Sequence, residues 1–433
     1  DAQESRGLGD VYKRQGYICG ARVSSYIFAG GVIGWFVLMP LIALFGADLT
    51  IFPASVPVSE LGASGIWSNY IRYIGAGAVA AGGIISLVKN LPLIAKTFRQ
   101  ALKSYGSKEN GDNSRLNKDI PMNIVILTIG IMAIIMWLVP AVPVSLLGAI
   151  IIVIFGFFFA TVSSRMVGIV GSSNNPVSGM AIATLLITTM ILKATGTIGM
   201  PGMVASIAIG SVICIIAAIA GDTSQDLKTG YLVGATPWKQ QVGEIIGVAA
   251  SAIAIGGVLY LLNAAWSYGS SAIPAPQATL MKMVVEGVMG GNLPWVLVFA
   301  GVGIAVVVEI LGIPVLPFAV GLYLPIYLST PMIVGGLIRL YFDKKKGESE
   351  EEKKRKVENG VLYSSGLIAG EGLVGILLAV CAVIPFKGET FADAFNLSAI
   401  FGFSLGNIGG LVFFALLAVT LILFIRGKKK KEN

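Results

Sequence analysis

Histidine is missing from all 433 residues. That removes the commonest metal ligand and the usual proton shuttle at neutral pH, so any proton chemistry falls to Asp, Glu, Tyr or Lys. Cysteine is scarce. Cys19, Cys214 and Cys381 lie in or beside apolar runs at no metal-ligand spacing and read as small core residues. No metal site and no cofactor is expected, and without a nucleophile–base pair no catalytic residue is assigned, so a membrane-embedded enzyme is a weak reading. Charge is short as well. Asp, Glu, Lys and Arg make up 12% of the chain against 55% hydrophobic residues, where a soluble domain carries about 25% charged residues. Such a chain cannot dress its surface for water and reads as polytopic in a lipid bilayer. Its net charge of +8 is not a nucleic-acid signal, because the lysines collect in connecting segments and at the C-terminus.

What is abundant is hydrocarbon and glycine. Apolar runs near 26–46, 68–90, 121–139, 141–163, 175–195, 199–220, 242–263, 294–311, 313–329, 330–342, 361–385 and 401–425 give about twelve segments, judged against the roughly 20 residues that cross a bilayer. The expected fold is an all-α, polytopic transmembrane helix bundle. Its 313–342 stretch is short or broken and is either two short spans or one re-entrant hairpin. The 55 glycines let helix backbones approach closely where lipid removes the hydrophobic drive between helices; Ala29, Gly30, Gly31 and Gly34 form one small-residue face, and Gly75, Gly77, Gly82 and Gly83 another.

Residues 1–15 are polar and carry no signal-peptide pattern. They are expected to be a non-native or disordered leader, and 16–433 a single integral membrane domain forming the C-terminal part of a longer protein. The basic residues of 96–119, 343–358 and the C-terminus fall on one face when spans are counted, and that face is expected to be cytoplasmic. Both internal segments read as mobile charged loops, and 221–241 counts to the same side. No internal repeat is visible.

Four places hold residues that a simple bundle does not need. In GSSNNPVSGM, 171–180, Ser173, Asn174 or Asn175 can cap a helix opening at Pro176, whose free N–H groups suit a carboxylate. In GDTSQDLKTGYLVGATPWKQQ, 221–241, Asp222 and Asp226 share a face if the segment is helical, with Gln225, Lys228 and Tyr231 close by. A solvated loop is the plainer alternative. Glu309 and Glu371 stand alone in apolar runs, where a charge costs roughly 2.5–3.5 kcal/mol on insertion scales; they are proton carriers or structural partners of a basic residue such as Arg165 or Lys193. In LGIPVLPFAVGLYLP, 311–325, three prolines and two glycines break a helix, which membranes tolerate where backbone is buried or lines a cavity, and Tyr323 is the contact residue there.

The block at 221–241 resembles the most characteristic segment of the oligopeptide transporter family. GSSNNPVSGM, EILGIPVLPFAVGLYLP at 309–325, SSGLIAGEGLVG at 364–375 and GYICGARVSSYIFAGG at 16–31 agree with it in order. The resemblance implies proton-coupled uptake of short peptides, or of metal chelates of peptide-like ligands, by a protein longer than this chain. The substrate-binding set expected from the residues is Ser173, Asn174, Asn175, Asp222, Gln225, Asp226, Lys228, Tyr231 and Tyr323. The proton-coupling candidates are Glu309, Glu371, Asp222 and Asp226. The expected partners are a small-molecule substrate, protons and the bilayer of the cytoplasmic membrane, with a homodimer left open. A channel is a further alternative, requiring pore-lining rings.

Overall fold

The structure, a computed structural model, describes residues 15–106, 115, 118–140, 142–170, 177–270, 273, 275–290, 294–345, 349–386, 389–391 and 406–426. It is helical almost throughout. In chain order the helices are α1 (Ala21–Val32), α2 (Met39–Gly46), α3 (Val58–Ile66), α4 (Arg72–Gly106), α5 (Met122–Leu138), α6 (Leu146–Val170), α7 (Val177–Ala194), α8 (Gly199–Val233), α9 (Pro237–Trp266), α10 (Pro276–Gly290), α11 (Trp295–Ile310), α12 (Val315–Tyr323), α13 (Ile326–Asp343), α14 (Glu350–Val383) and α15 (Gly406–Arg426). Ile33–Leu38 and Trp67–Ile71 widen to π-helical turns, and Pro385–Phe386 pairs antiparallel with Glu389–Thr390.

The all-α polytopic reading holds. Six helices among the described residues are long and apolar enough to cross a membrane, and Met122–Leu138, Met180–Ala194 and Trp295–Ile310 are shorter apolar helices. The twelve runs in the sequence outnumber the six because several are cut short or broken. α12, for example, has nine residues. Several segments read as connections are helical instead. α4 carries the chain to Gly106, α14 begins at Glu350 with Ser349 as its cap, and α8 runs through Val233. Glu350, Glu351 and Glu352 occupy the first turn of α14, where the dipole favours acid. α8 stops at Gly234, whose φ of 77° closes the turn, and Pro237 opens α9. Cys19 is exposed, and Cys214 and Cys381 are only partly buried, so the expectation of three core cysteines fails, most clearly at Cys19.

The chain, read from sequence as one domain, divides by its contacts into two compact units. The first is 1–79, 255–279 and 294–433, and the second 80–254 and 280–293. In the first unit α1 packs on α12 and α13, backbone against backbone. A Cβ on Gly30 would lie 2.0 Å from the Phe318 carbonyl oxygen, one on Gly321 1.8 Å from that of Ile27, and one on Gly75 2.5 Å from the Tyr323 Cα. The two small-residue faces read from the sequence are the surfaces that allow this. In the second unit α6 and α8 run side by side in the same direction, Gly148 against Ile209, Gly156 against Ile216 and Gly168 against Ser224, with α7 returning between their ends. The core there is of side chains: Ile152, Phe159, Val162, Met180, Ile209, Ile213 and Val285. α5 and α9 contain no buried residue and expose isoleucine and leucine along their length, as a lipid-facing helix does.

Candidate functional site

A polar centre can be described in each unit. In the second it lies where α6, α8 and α9 end or begin. The Ser163 hydroxyl donates to the Ala217 carbonyl at 2.5 Å and that of Ser224 to the Ser164 carbonyl at 2.6 Å, which fixes α6 to α8. Gln240 Nε2, from the first turn of α9, donates to the Asp226 carbonyl at 2.6 Å. Asp222 and Asp226 are on a helix, as their shared face requires, and both are exposed, as are Gln225, Lys228 and Tyr231. Glu244 lies within electrostatic reach of Asp226 and beside Thr223. Glu244 is half-buried, and its Oε1 is sealed from solvent without a hydrogen-bond partner. Sequence reasoning did not single out Glu244; a carboxylate near the start of the apolar run 242–263 was the available signal.

Arg115 and residues 118–120 hold the α8–α9 turn. Arg115 donates to the Gly234 carbonyl at 2.8 Å, the Trp238 N–H to the Lys118 carbonyl at 3.0 Å, and Gln241 both accepts from the Ile120 N–H at 3.1 Å and donates to Asp119 at 3.3 Å. Two segments that span counting puts on one face thus touch. Ser173, Asn174 and Asn175 lie outside the described residues.

In the first unit the centre is the broken helix. α11 ends at Ile310, Gly312 turns with φ 72°, and Pro314 opens α12. α12 ends at Tyr323 after nine residues, and the extended Leu324 and Pro325 lead into α13. Val315, Phe318, Ala319, Leu322 and Tyr323 are all buried. The helix break expected from the prolines is therefore real. Its second half, Leu324 and Pro325, is enclosed by protein, as unwound backbone in a membrane must be, whereas Leu311, Gly312 and Pro314 before α12 are exposed. Tyr323, 2% exposed, lies within electrostatic reach of Arg72. Glu309 closes α11 and Glu371 stands mid-way along α14; both are half-buried and engaged in interactions.

Sequence reasoning missed Arg72 and its tryptophan neighbour. The guanidinium carbon lies 5.8 Å from the centre of the Trp67 ring and 5.9 Å from that of Tyr73. Arg72 Nε, Trp67 Nε1 and Trp35 Nε1 are all buried without a hydrogen-bond partner. The signal was present: an arginine inside the apolar run 68–90, in SNYIRYIGAG, is as costly there as a lone glutamate. By contrast, the grooves beside α6, lined by Trp137, Leu146, Ile150, Ile154 and Phe157, are wholly apolar and offer a polar solute nothing. Among the described residues no group of three or more acids and cysteines is placed to hold a metal ion.

A broken, buried helix and two polar centres in an otherwise apolar bundle are features of a solute carrier. A family profile described as OPT oligopeptide transporter protein matches residues 10–382. The chain belongs to the OPT oligopeptide transporter family. Its members are transporters and not enzymes. Among its relatives is the "Putative oligopeptide transporter" of Haemophilus influenzae, 28% identical over 434 aligned residues that cover 88% of this chain and 67% of the relative. The "Probable metal-nicotianamine transporter YSL5" of Arabidopsis thaliana is 30% identical over 48% of this chain and 31% of its own length. The corresponding rice YSL11 protein (Oryza sativa) is 24% identical over 86% and 56%. The chain thus spans two thirds or less of the length of these relatives. No solved structure matches.

Proposed function

We propose that this OPT chain belongs to a secondary active carrier that brings oligopeptides across the cytoplasmic membrane, driven by protons. The observation that supports this most directly is the buried break after α12, at Leu324 and Pro325, in a chain of this family, because freed backbone there and Tyr323 are contacts for a peptide's own polar groups. In the second unit, Ser173, Asn174 and Asn175 with Gln225, Lys228 and Tyr231 are proposed substrate contacts, and Asp222 and Asp226 take either the substrate's amino end or the coupling proton. Glu309 and Glu371 are the rival proton carriers in the first unit, and Glu244 joins the proposal as the acidic partner of Asp226. Protonation of one acid favours one access state, so a proton gradient biases the cycle. The faces carrying 96–119, 343–358 and the C-terminus are taken as cytoplasmic.

A second reading has its own support. Several relatives are named as metal-nicotianamine transporters, so a metal chelate of a peptide-like ligand is the alternative cargo. Uptake of labelled tetrapeptide into proteoliposomes with an imposed pH gradient separates the two. Gradient-driven accumulation of the peptide that a chelate does not compete away supports the first, and chelate uptake without peptide uptake replaces it by the second. Accumulation is expected to collapse in Glu309→Gln or in Glu371→Gln. If both keep full accumulation, neither carries the proton, and Asp226→Asn with Glu244→Gln is the next pair to fail or survive the same assay.

A further inference from the structure

Among the described residues Arg72 is a cation without an anion. It is half-buried, its Nε is sealed from solvent with no acceptor, and no hydrogen bond or ion pair joins its guanidinium to any described residue. The rings of Trp67 and Tyr73 meet the charge through their faces, which leaves the in-plane N–H fork open, the part of arginine that matches a carboxylate. The π-helical turn at Trp67–Ile71 explains the pairing with Trp67. Its wide i→i+5 winding brings residues five apart over one another, and Trp67 and Arg72 are five apart. The neighbouring π segment, Ile33–Leu38, packs on it, with Gly34 against Ile71 and Leu322, and brings Trp35, whose buried indole N–H is also unpaired. Gly75, one turn past Arg72, is pressed on Tyr323 at the end of α12. From Tyr70 to Val79 every residue is buried except Arg72 and Tyr73, so the arginine is a partly open point in an otherwise enclosed run. Buried donors left unpaired in a native protein call for a missing acceptor.

We propose that Arg72, framed by Trp67 and Tyr323, is an oxyanion site that takes the carboxylate of a peptide-like solute. This deepens the transport reading above and rests on it for the identity of the solute. It also moves the proposed carboxylate contact from Asn174 and Asn175 to a charged donor.

Calorimetric titration of the full-length protein in phosphatidylcholine nanodiscs with trialanine, trialanine amide and citrate tests the site. Trialanine should bind more tightly than its amide by roughly 10- to 100-fold, the range of a hydrogen bond to a charged group. Arg72→Gln should remove that gap while leaving the amide's affinity unchanged, and Arg72→Lys, which keeps the charge but not the fork, should restore part of it. The Lys variant carries the test if the Gln variant does not fold: an undiminished gap there counts against the fork. Citrate binding that needs Arg72, with no peptide binding at all, upholds the oxyanion site and sinks the peptide reading. An acid preference equal in wild type and Arg72→Gln overturns the proposal, as does the failure of wild type to bind trialanine or citrate. Acid binding that vanishes when phosphatidylglycerol replaces phosphatidylcholine also overturns it, by assigning Arg72 to a lipid phosphate.

Discussion

The two units handle their buried polar groups in opposite ways. In the second, hydroxyls are used up inside the bundle: Thr184, Thr189 and Ser206 donate to the carbonyl one turn back, and Ser163 and Ser224 donate across to another helix. Thr188 and Glu244 are the exceptions. In the first unit the helices meet through glycine and bare backbone, while Arg72, two indoles and the hydroxyls of Tyr17, Ser329 and Ser364 keep buried polar atoms without a partner among the described residues. Satisfied hydroxyls are an adhesive, since a hydrocarbon interior offers them no water. Unsatisfied donors add nothing to the fold and are tolerated where a ligand completes them. The first unit is accordingly built for close, shape-determined packing around an open polar point, and the second for internal polar closure that ends in an exposed acidic helix tip.

The largest effect should come from the backbone contacts of the first unit. Gly301 and Gly303 lie on the same helix, α11, two residues apart. A Cβ on Gly301 would sit 1.9 Å from the Ile74 carbonyl oxygen, whereas one on Gly303 meets nothing within 4 Å. Overpacking costs about 1–3 kcal/mol where side chains can yield, and backbone cannot yield in the same way. Gly301→Leu should abolish monodisperse, folded protein on size exclusion, and Gly303→Leu should elute and melt like wild type. Equal behaviour of the two variants would mean that α11 does not approach α4 as described.

Next comes a pair of changes with opposite signs. Ser163→Ala removes a donor that is paired and leaves the Ala217 carbonyl without its partner, so it should lower stability by about 1 kcal/mol. Arg72→Met removes a half-buried charge that no described residue pairs, and replacing buried charge by well-packed hydrocarbon is often neutral or stabilising by roughly 1–4 kcal/mol. Thermal unfolding of the solubilised protein should therefore show the Ser163 variant melting below wild type and the Arg72 variant at or above it. A clear fall in the melting temperature of Arg72→Met would show that the guanidinium holds the fold together and is not waiting for a ligand.

Much of this was legible in the sequence, for reasons that differ from residue to residue. The membrane class followed from the shortage of charge, and the break before and after α12 followed from Pro314, Pro325 and Gly312, because proline and glycine act on the backbone locally. The glycine faces were readable for the same reason. The end of α8 was not. Asp222, Gln225, Asp226 and Lys228 look like a loop by polarity, yet nothing in 221–233 breaks a helix, and the chain continues helical until Gly234 supplies the positive φ. The run 350–358 misled in the same way, since alternating Glu and Lys make a good solvated helix once Ser349 caps it. Arg72 escaped because its meaning lies in what fails to reach it, and a missing partner has no spacing to read.

The smallest effect tests whether polar closure in the second unit extends to its rim. Gln241 uses both ends of its amide, accepting from the Ile120 N–H and donating to Asp119, beside the Trp238 N–H bond to the Lys118 carbonyl and the Arg115 bond to Gly234. These bonds hold Arg115 and residues 118–120 to the start of α9 at an exposed site, where each contributes on the order of 0.5–1.5 kcal/mol. Gln241→Ala should lose about 1 kcal/mol locally, read as faster hydrogen exchange at the Ile120 and Trp238 amides. Exchange at Ile209 and Ile213, in the core of α8, should not change, because that core is closed by Ser163 and Ser224 independently of the rim. If the core amides speed up together with Ile120, the rim and the core form a single cooperative unit, and the second unit's polar groups cannot be divided into an adhesive interior and a separate outer clamp.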